Sequence, residues 1–431
     1  MSRPLAWFLA SNVLTSLSTT VAFLAIAVIA AGSADSIRAG GLAVSITFSV
    51  YTFGSAIALP YTSRFARAFG TVRGYMISLI VAAAVFAIEG LLLVAGLPGY
   101  PVVLVGSIFT GVCAGLALAL KQSSMAAYAG GGDQAKVISW STVGSGIALV
   151  VGAPFAGFLI DATGELGLPL CLFISAAAII PLVLVLAFVR PKEPATCPDA
   201  VTRPWRASLG SLIHRPKLRI ICIVGCISCL FIYPLWDLMV PVARDLGHGL
   251  AGEAGLLLGF LAIGAMLTPV AVRLLHSQKP LRSSIVGYVA GAIGVIIIAA
   301  VAGLVDGRIE LVVLGLFLIV LSAATWAGDA FLISLIEENA DATSRTGQLA
   351  TFFLAISLIS PIGVLLWGYM FNLVGARWTL AVFGVATVAT FSLLSLRRAR
   401  IVSDAEISHL ESAAHAVSAH RRSGRAFRYL L

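Results

Sequence analysis

Long apolar runs, separated by short polar or basic connections, recur along the whole chain. A helix that crosses a bilayer needs roughly 20 mostly apolar residues. Twelve runs meet that length, at about 5–31, 39–62, 74–97, 101–127, 137–160, 167–189, 220–243, 251–272, 283–304, 310–336, 348–372 and 377–396. None alternates apolar and polar positions in ten-residue units, as the strands of a membrane barrel do. The runs are rich in Gly, Ala and Ser, which let helices approach closely in lipid. The pattern predicts an all-α membrane protein of twelve transmembrane helices. The first run is too long for the apolar part of a cleaved leader and is read as mature structure.

Composition agrees with lipid as the solvent. Hydrophobic residues make up 59% and charged residues 11% of 431, whereas a soluble domain carries about 25% charge. Five of the six cysteines sit inside apolar runs, the one CxxC spacing (Cys226 and Cys229) among them, so neither a disulfide framework nor a zinc site is indicated. Cys222, Cys226 and Cys229 fall on one helical face; small apolar packing explains them, with a thiol ligand cluster as the alternative. The net charge of +9 is explained by where it lies. With twelve spans, 23 of the 28 Lys and Arg residues fall on one side, four (Arg38, Arg244, Arg308, Arg377) on the other, and Lys121 within a span. The excess marks the cytoplasmic side. Both termini are expected there, in a bacterial inner membrane, and nucleic acid is not an expected partner. No GxxxxGK[ST], HExxH or GxSxG occurs, so neither an ATP motor nor an enzyme is expected, and no cofactor or metal.

The longest connection, residues 190–219, is basic and proline-rich and divides the chain six spans against six. The expected organisation is a six-helix bundle over 1–189, this linker, a second bundle over 220–397, and a basic amphipathic tail over 398–431. The halves resemble each other. GAPFAGFLIDATG, from Gly152 to Gly164, aligns with GVLLWGYMFNLVG, from Gly363 to Gly375, with three glycines at the same spacing. In that register Lys121 of span 4 falls within three residues of the position equivalent to Asp329 of span 10. Pseudo-symmetric six-span halves characterise a large class of transporters.

Twelve spans split six and six, a basic middle loop and a basic loop after span 2 resemble the major facilitator superfamily. The second loop reads PYTSRFARAFGTVR, from Pro60 to Arg73. Arg64, Arg67, Gly70 and Arg73 are similar to the family's gating signature, but Ala66 stands about where its acid belongs. Ala153, Pro154 and Gly157 of span 5 partly resemble the Gly-Pro-x-x-Gly-Gly signature of proton-driven exporters, with Ala153 and Phe158 at two of its glycine positions. The resemblance implies alternating access by rocking of two bundles around a cavity lined by spans 1, 4, 7 and 10. It further implies a small-molecule substrate, protons as coupling ion and a monomer. Efflux of a drug or metabolite is preferred. Uptake of a small anion at Lys121 is the runner-up, and a non-transporting receptor or scaffold is the alternative of another class.

Charge inside a span is costly, about 2.5–3.5 kcal/mol on insertion scales, and so points to a cavity or a partner. Lys121 could instead extend its four methylenes to the interface. Asp329 is too short for that. Ser322 and Thr325 lie seven and four residues before it on the same helical face, with Trp326 alongside, which predicts a wet stripe; a protonated aspartate bonded to a neighbouring helix is the other reading. Asp237 and Trp236 sit between Pro234 and Pro241 of span 7, as a proton or cation site or as interfacial residues. Asn12, Ser16, Thr19 and Thr20 share a face of span 1, for substrate hydrogen bonding or small-residue packing. Glu89 in span 3 is a minor proton candidate. Gly144, Gly146, Gly152 and Gly157 of span 5 are read as close helix packing where the halves meet. The tail combines a capping-box spacing from Ser403 with aromatics and arginines that suit anionic lipid.

An opposed Lys121–Asp329 pair would close the cytoplasmic side in one state and separate in the other. Transport is then expected to fall in Lys121→Ala and Asp329→Ala. Wild-type flux in both, and in the charge-exchanged double variant, would sink the pairing.

Overall fold

The computed structural model describes residues 3–129, 134–189, 216–247, 249–275, 280–302, 304, 308–339 and 345–395. The linker up to residue 215 and the tail from 396 lie outside them. The described chain is helical: α1 Arg3–Gly32, α2 Ile37–Ala58, α3 Thr71–Val94, α4 Gly99–Ala129, α5 Gln134–Thr163 and α6 Gly167–Phe188 form the first half. In the second half α7 comes in three pieces, Pro216–Phe231, Pro234–Asp237 and Met239–Asp245. Next, α8 is the pair Ala251–Met266 and Thr268–Leu275, bent by 51°. Then follow α9 Pro280–Val301, α10 Arg308–Asn339, α11 Arg345–Val374 and α12 Ala376–Ser395.

Among the described residues ten helices are long and apolar enough to cross a membrane, and the bent α8 makes eleven. One of the ten, Trp140–Phe188, runs through a turn at Gly164, whose φ of +59° favours glycine. There α5 and α6 part, and the expected twelve are all accounted for. The described residues up to Thr387 form one compact unit, and the rest of α12, described to Ser395, belongs to a second.

The halves repeat one packing scheme. In the first, α4 packs on α2 and α3, and α1 on α5; in the second, α10 packs on α8 and α9, and α7 on α11. Two helix pairs join the halves, α5 with α8 and α2 with α11, and the pseudo-symmetry relates one pair to the other. Both rely on missing side chains. A Cβ on Gly157 would lie 2.3 Å from the Ala251 carbonyl oxygen, and one on Gly255 2.4 Å from that of Ala153. On the other seam, Phe371 covers Gly41, Ser45 covers Gly368, and the Ser49 hydroxyl donates to the Pro361 carbonyl at 3.0 Å.

These approaches concentrate toward the charge-poor end, where α2 and α8 begin. The buried cores show the same asymmetry. One cluster crosses both halves, with Val21, Leu24, Phe48 and Ile160 against Met239, Leu257, Trp367 and Phe371. A second belongs to the first half alone, built from Leu5, Phe8, Ala66, Tyr75 and Tyr128. The halves are thus sealed at the charge-poor end. A side chain forced into that seam should cost about 1–3 kcal/mol. Gly157→Val is expected to lower the melting temperature by several degrees. It should also raise labelling of Ala27→Cys by an impermeant maleimide applied from the charge-poor face.

Candidate functional site

Helix α7 is the most interrupted span. Proline lacks an amide hydrogen and so cannot continue the hydrogen-bond ladder. The chain breaks at Ile232 and Tyr233, restarts at Pro234, and turns again at Leu238 before Pro241. Irregular backbone at membrane depth is tolerated where it lines a cavity or is covered by protein. Here it lines one. A cavity of about 250 Å³ lies between the halves, bounded by Thr19, Thr20, Phe23, Leu24 and Ala27 of α1, Phe48 of α2, Leu149 of α5, Trp236, Asp237 and Val240 of α7, and Leu258 of α8.

Asp237 is the charged residue of that lining, and its carboxylate takes no hydrogen bond or ion pair from the described residues. Trp236 stacks on Tyr233 with centroids 5.7 Å apart, and Trp326 meets Tyr233 edge-on at 6.2 Å. Phe23 is held edge-on by Phe48 and Tyr51, at 5.5 and 4.8 Å. The Thr19 and Thr20 hydroxyls donate back to the carbonyls of Thr15 and Ser16, at 3.1 and 3.0 Å. Their lone pairs are what they have left to offer.

Asp329 has a different setting. It is partly buried within the second half, where the Tyr288 hydroxyl of α9 donates to its Oδ1. One turn before Tyr288, Ser284 donates to the Gly328 carbonyl at 2.9 Å and fastens α9 to α10 beside the carboxylate. A Cβ on Gly328 would come within 3.2 Å of the Tyr288 ring, so glycine lets the phenol reach Asp329.

The expected wet stripe on α10 is corrected by the structure. Ser322 and Thr325 are fully buried; Ser322 donates to the Leu261 carbonyl of α8 at 2.6 Å and Thr325 to that of Leu321 at 2.9 Å. Sharing a helical face with Asp329 turned them toward α8 and α9, where Gly264 and Gly291 make room, and not toward water. Trp326 is 39% exposed. On α1, Asn12 is buried and donates to Ser141 of α5 at 3.3 Å, and Ser16 pairs with Ser145 at 3.0 Å. Those two residues hold α1 to α5; Thr19 and Thr20, one and two turns further on, reach the cavity.

Lys121 is partly exposed on α4 and has no ion pair with Asp329 or any other described residue. Of the span-5 glycines, Gly144 faces Val13 and Gly152 faces Leu17 and Thr20 of α1, whereas Gly146, Gly157 and Pro154 pack on α8. The loop after α2 contains a short helix, Thr62–Phe69, closed by Gly70 at φ +81°. Arg64, Arg67 and Arg73 are exposed around it, with Arg64 5.9 Å over the Tyr61 ring, while Ala66 is buried.

Two groups escaped the sequence reading. Tyr288 carried one signal, a polar-tipped aromatic beside Gly287 and a turn after Ser284. Asp161 carried another, as the residue at the end of α5 that aligns with Asn372. Its carboxylate accepts from the Ala251 and Gly252 amides at 3.0 and 2.7 Å and so caps α8 across the seam.

Two six-helix halves around a cavity bordered by a carboxylate are transporter architecture. The profile of the Major Facilitator Superfamily matches residues 8–344.

The chain belongs to the major facilitator superfamily.

Its solved relatives span the same architecture. The chain is similar to the nucleoside transporter NupG (14% identity, TM-score 0.66, 91% of this chain and 99% of that one). A D-xylose-proton symporter gives 17% identity and TM-score 0.66 over 90% and 96%. A bacterial homolog of the human lysosomal transporter Spinster, solved inward-facing and unoccupied, gives 14% and 0.64 over 91% and 97%. At such identities the likeness concerns the fold. No curated protein sequence matches the chain. As a member of this superfamily the protein is a multi-pass secondary transporter of small molecules and not an enzyme.

One buried acid of this transporter stands apart from the cavity. Glu89 of α3 is 2% exposed, both its oxygens lack a hydrogen-bond partner among the described residues, and it lies against Gly106 of α4, where a Cβ would be 1.6 Å from Oε1. Gly106→Ala should therefore destabilise by about 1–3 kcal/mol. Adding Glu89→Ala should restore most of the lost melting temperature, whereas additive losses would disprove the contact.

Proposed function

We propose that the protein is a monomeric, proton-coupled exporter of a small, partly apolar organic molecule, working by alternating access in a bacterial inner membrane. The observation that carries this reading is the division between two carboxylates. Asp237 borders the cavity between the halves without a hydrogen-bond or ion-pair partner among the described residues. Asp329 sits inside one half on a tyrosine. A transporter that exchanges substrate for protons can divide the work between one group that meets the substrate and one that holds the proton. Asp237 serves the first role and Asp329 the second.

The basic end, with Arg64, Arg67, Arg73 and Arg273, faces the cytoplasm by the charge rule, so both termini lie there. The closed seam at the opposite end supports reading this as the inward-facing state, in keeping with Lys121 standing apart from Asp329. Export is favoured by the partial exporter signature, whose Pro154 and Gly157 pack on α8 at the moving seam. Uptake of an anion finds less support, because the cavity lining holds a carboxylate and no cation.

In proteoliposomes, a substrate found by screening should move against its gradient when a pH gradient is imposed. Asp329→Asn is expected to abolish that accumulation yet keep substrate exchange at equal pH. Asp237→Asn should lose both. Unchanged pH-driven flux in Asp329→Asn would overturn the assignment.

A further inference from the structure

We infer that the cavity between the halves is a recognition site for a small organic cation carrying an aromatic or compact apolar body, an inference that rests on the proposed transport reading and names its substrate class. Four observations converge. The lining presents a single charge, the Asp237 carboxylate, and no basic side chain accompanies it. That carboxylate is half-buried and has no donor among the described residues, and a charge drawn partly out of water without a partner is costly. The lining hydroxyls do not supply one in this state, since Thr19 and Thr20 donate to carbonyls of their own helix and keep only lone pairs to offer. The Trp236 indole N–H is the remaining side-chain donor of the lining, and it is neutral.

The walls supply the fourth observation. Phe23, Phe48 and Trp236 line the cavity, and Trp236 and Phe23 are fixed by ring contacts to Tyr233 and to Tyr51. Aromatic faces attract an ammonium group through the ring quadrupole, and more strongly when water is excluded. A cation therefore satisfies the carboxylate, the hydroxyl lone pairs and the rings together. An anion would meet Asp237 head-on, and a neutral molecule would leave it unpaired. At about 250 Å³ the cavity lies just below the roughly 300–1,000 Å³ of ligand pockets, which suits a small ligand of one ring and one ammonium.

Benzyltrimethylammonium, a permanent cation that cannot adjust its charge, is the probe, and benzenesulfonate is an anion of like size. Radiolabelled benzyltrimethylammonium is titrated against the full-length protein in lipid nanodiscs. Saturable binding is expected, unaffected by excess benzenesulfonate. Asp237→Asn should weaken it at least tenfold with the melting temperature retained, while Asp237→Glu should stay within a few-fold of wild type. Absence of binding to wild type, equal competition by benzenesulfonate, or unchanged binding in Asp237→Asn would each overturn the cation assignment. Binding does not need coupling, so the two readings fail separately. Cation binding without pH-driven flux removes the proton-coupled exporter, and pH-driven flux of neutral or anionic compounds without cation binding removes the cation site.

Discussion

Everything else in this structure depends on how closely the backbones of the two halves approach along α5–α8 and α2–α11. Lipid provides no hydrophobic drive between helices, so packing and a few hydrogen bonds must hold them. Glycine at 157, 255, 41 and 368 lets the seams close to contact. The polar contribution across them is modest, with two amides on Asp161 and one hydroxyl on Pro361. Hydrogen bonds to an ionised group are roughly twice as strong as neutral ones, and a carboxylate at a helix N-terminus is further favoured by the helix dipole. Asp161 lies at the exposed edge of the seam, however, where water replaces the lost bonds when the halves part. A seam held by shape and capped at its rim can close firmly and still separate.

The cavity follows from the same packing. Backbone contact near the charge-poor end brings α1, α2, α7 and α8 together there, and the broken middle of α7 leaves space beneath. Proline at 234 and 241 prevents α7 from running straight past that level, so Trp236 and Asp237 are delivered into the interface between the halves instead of onto a neighbouring helix. Asp329 lies on an unbroken helix, α10, and is met by α9 inside its own half. Two acids of the same chemistry thus acquire different access, because one helix is interrupted and the other is not.

The architecture was legible in the sequence because length and hydropathy are properties of single segments. Twelve runs and the glycine repeat from Gly152 to Gly164 required no knowledge of which faces meet. Helical faces were the harder matter. Asn12, Ser16, Thr19 and Thr20 share a stripe, yet only the last two reach the cavity, since α5 crosses α1 at Asn12 and Ser16. Ser322 and Thr325 mislead for the same reason: a polar stripe in lipid can be satisfied by carbonyls of adjacent helices as readily as by water. The Tyr288–Asp329 contact joins residues 41 apart in the chain, and its spacing leaves no periodic trace.

The position of Tyr288 also bears on Lys121. The phenol occupies Oδ1 of Asp329, and Oδ2 has no donor among the described residues. In the proposed cycle, closing the cytoplasmic end brings α4 toward α10, and the second oxygen is the one that Lys121 would meet. A lysine and a carboxylate at 4 Å attract by about 4 kcal/mol at an effective dielectric near 20, against desolvation costs of several kcal/mol per ion. The net is therefore small. A proton on Oδ2 removes the attraction altogether, while Tyr288 keeps its hold on Oδ1 in either condition. Proton and lysine would compete for one oxygen of a carboxylate whose other oxygen stays anchored, so that the choice between them alters the closure of the gate without moving Asp329 itself.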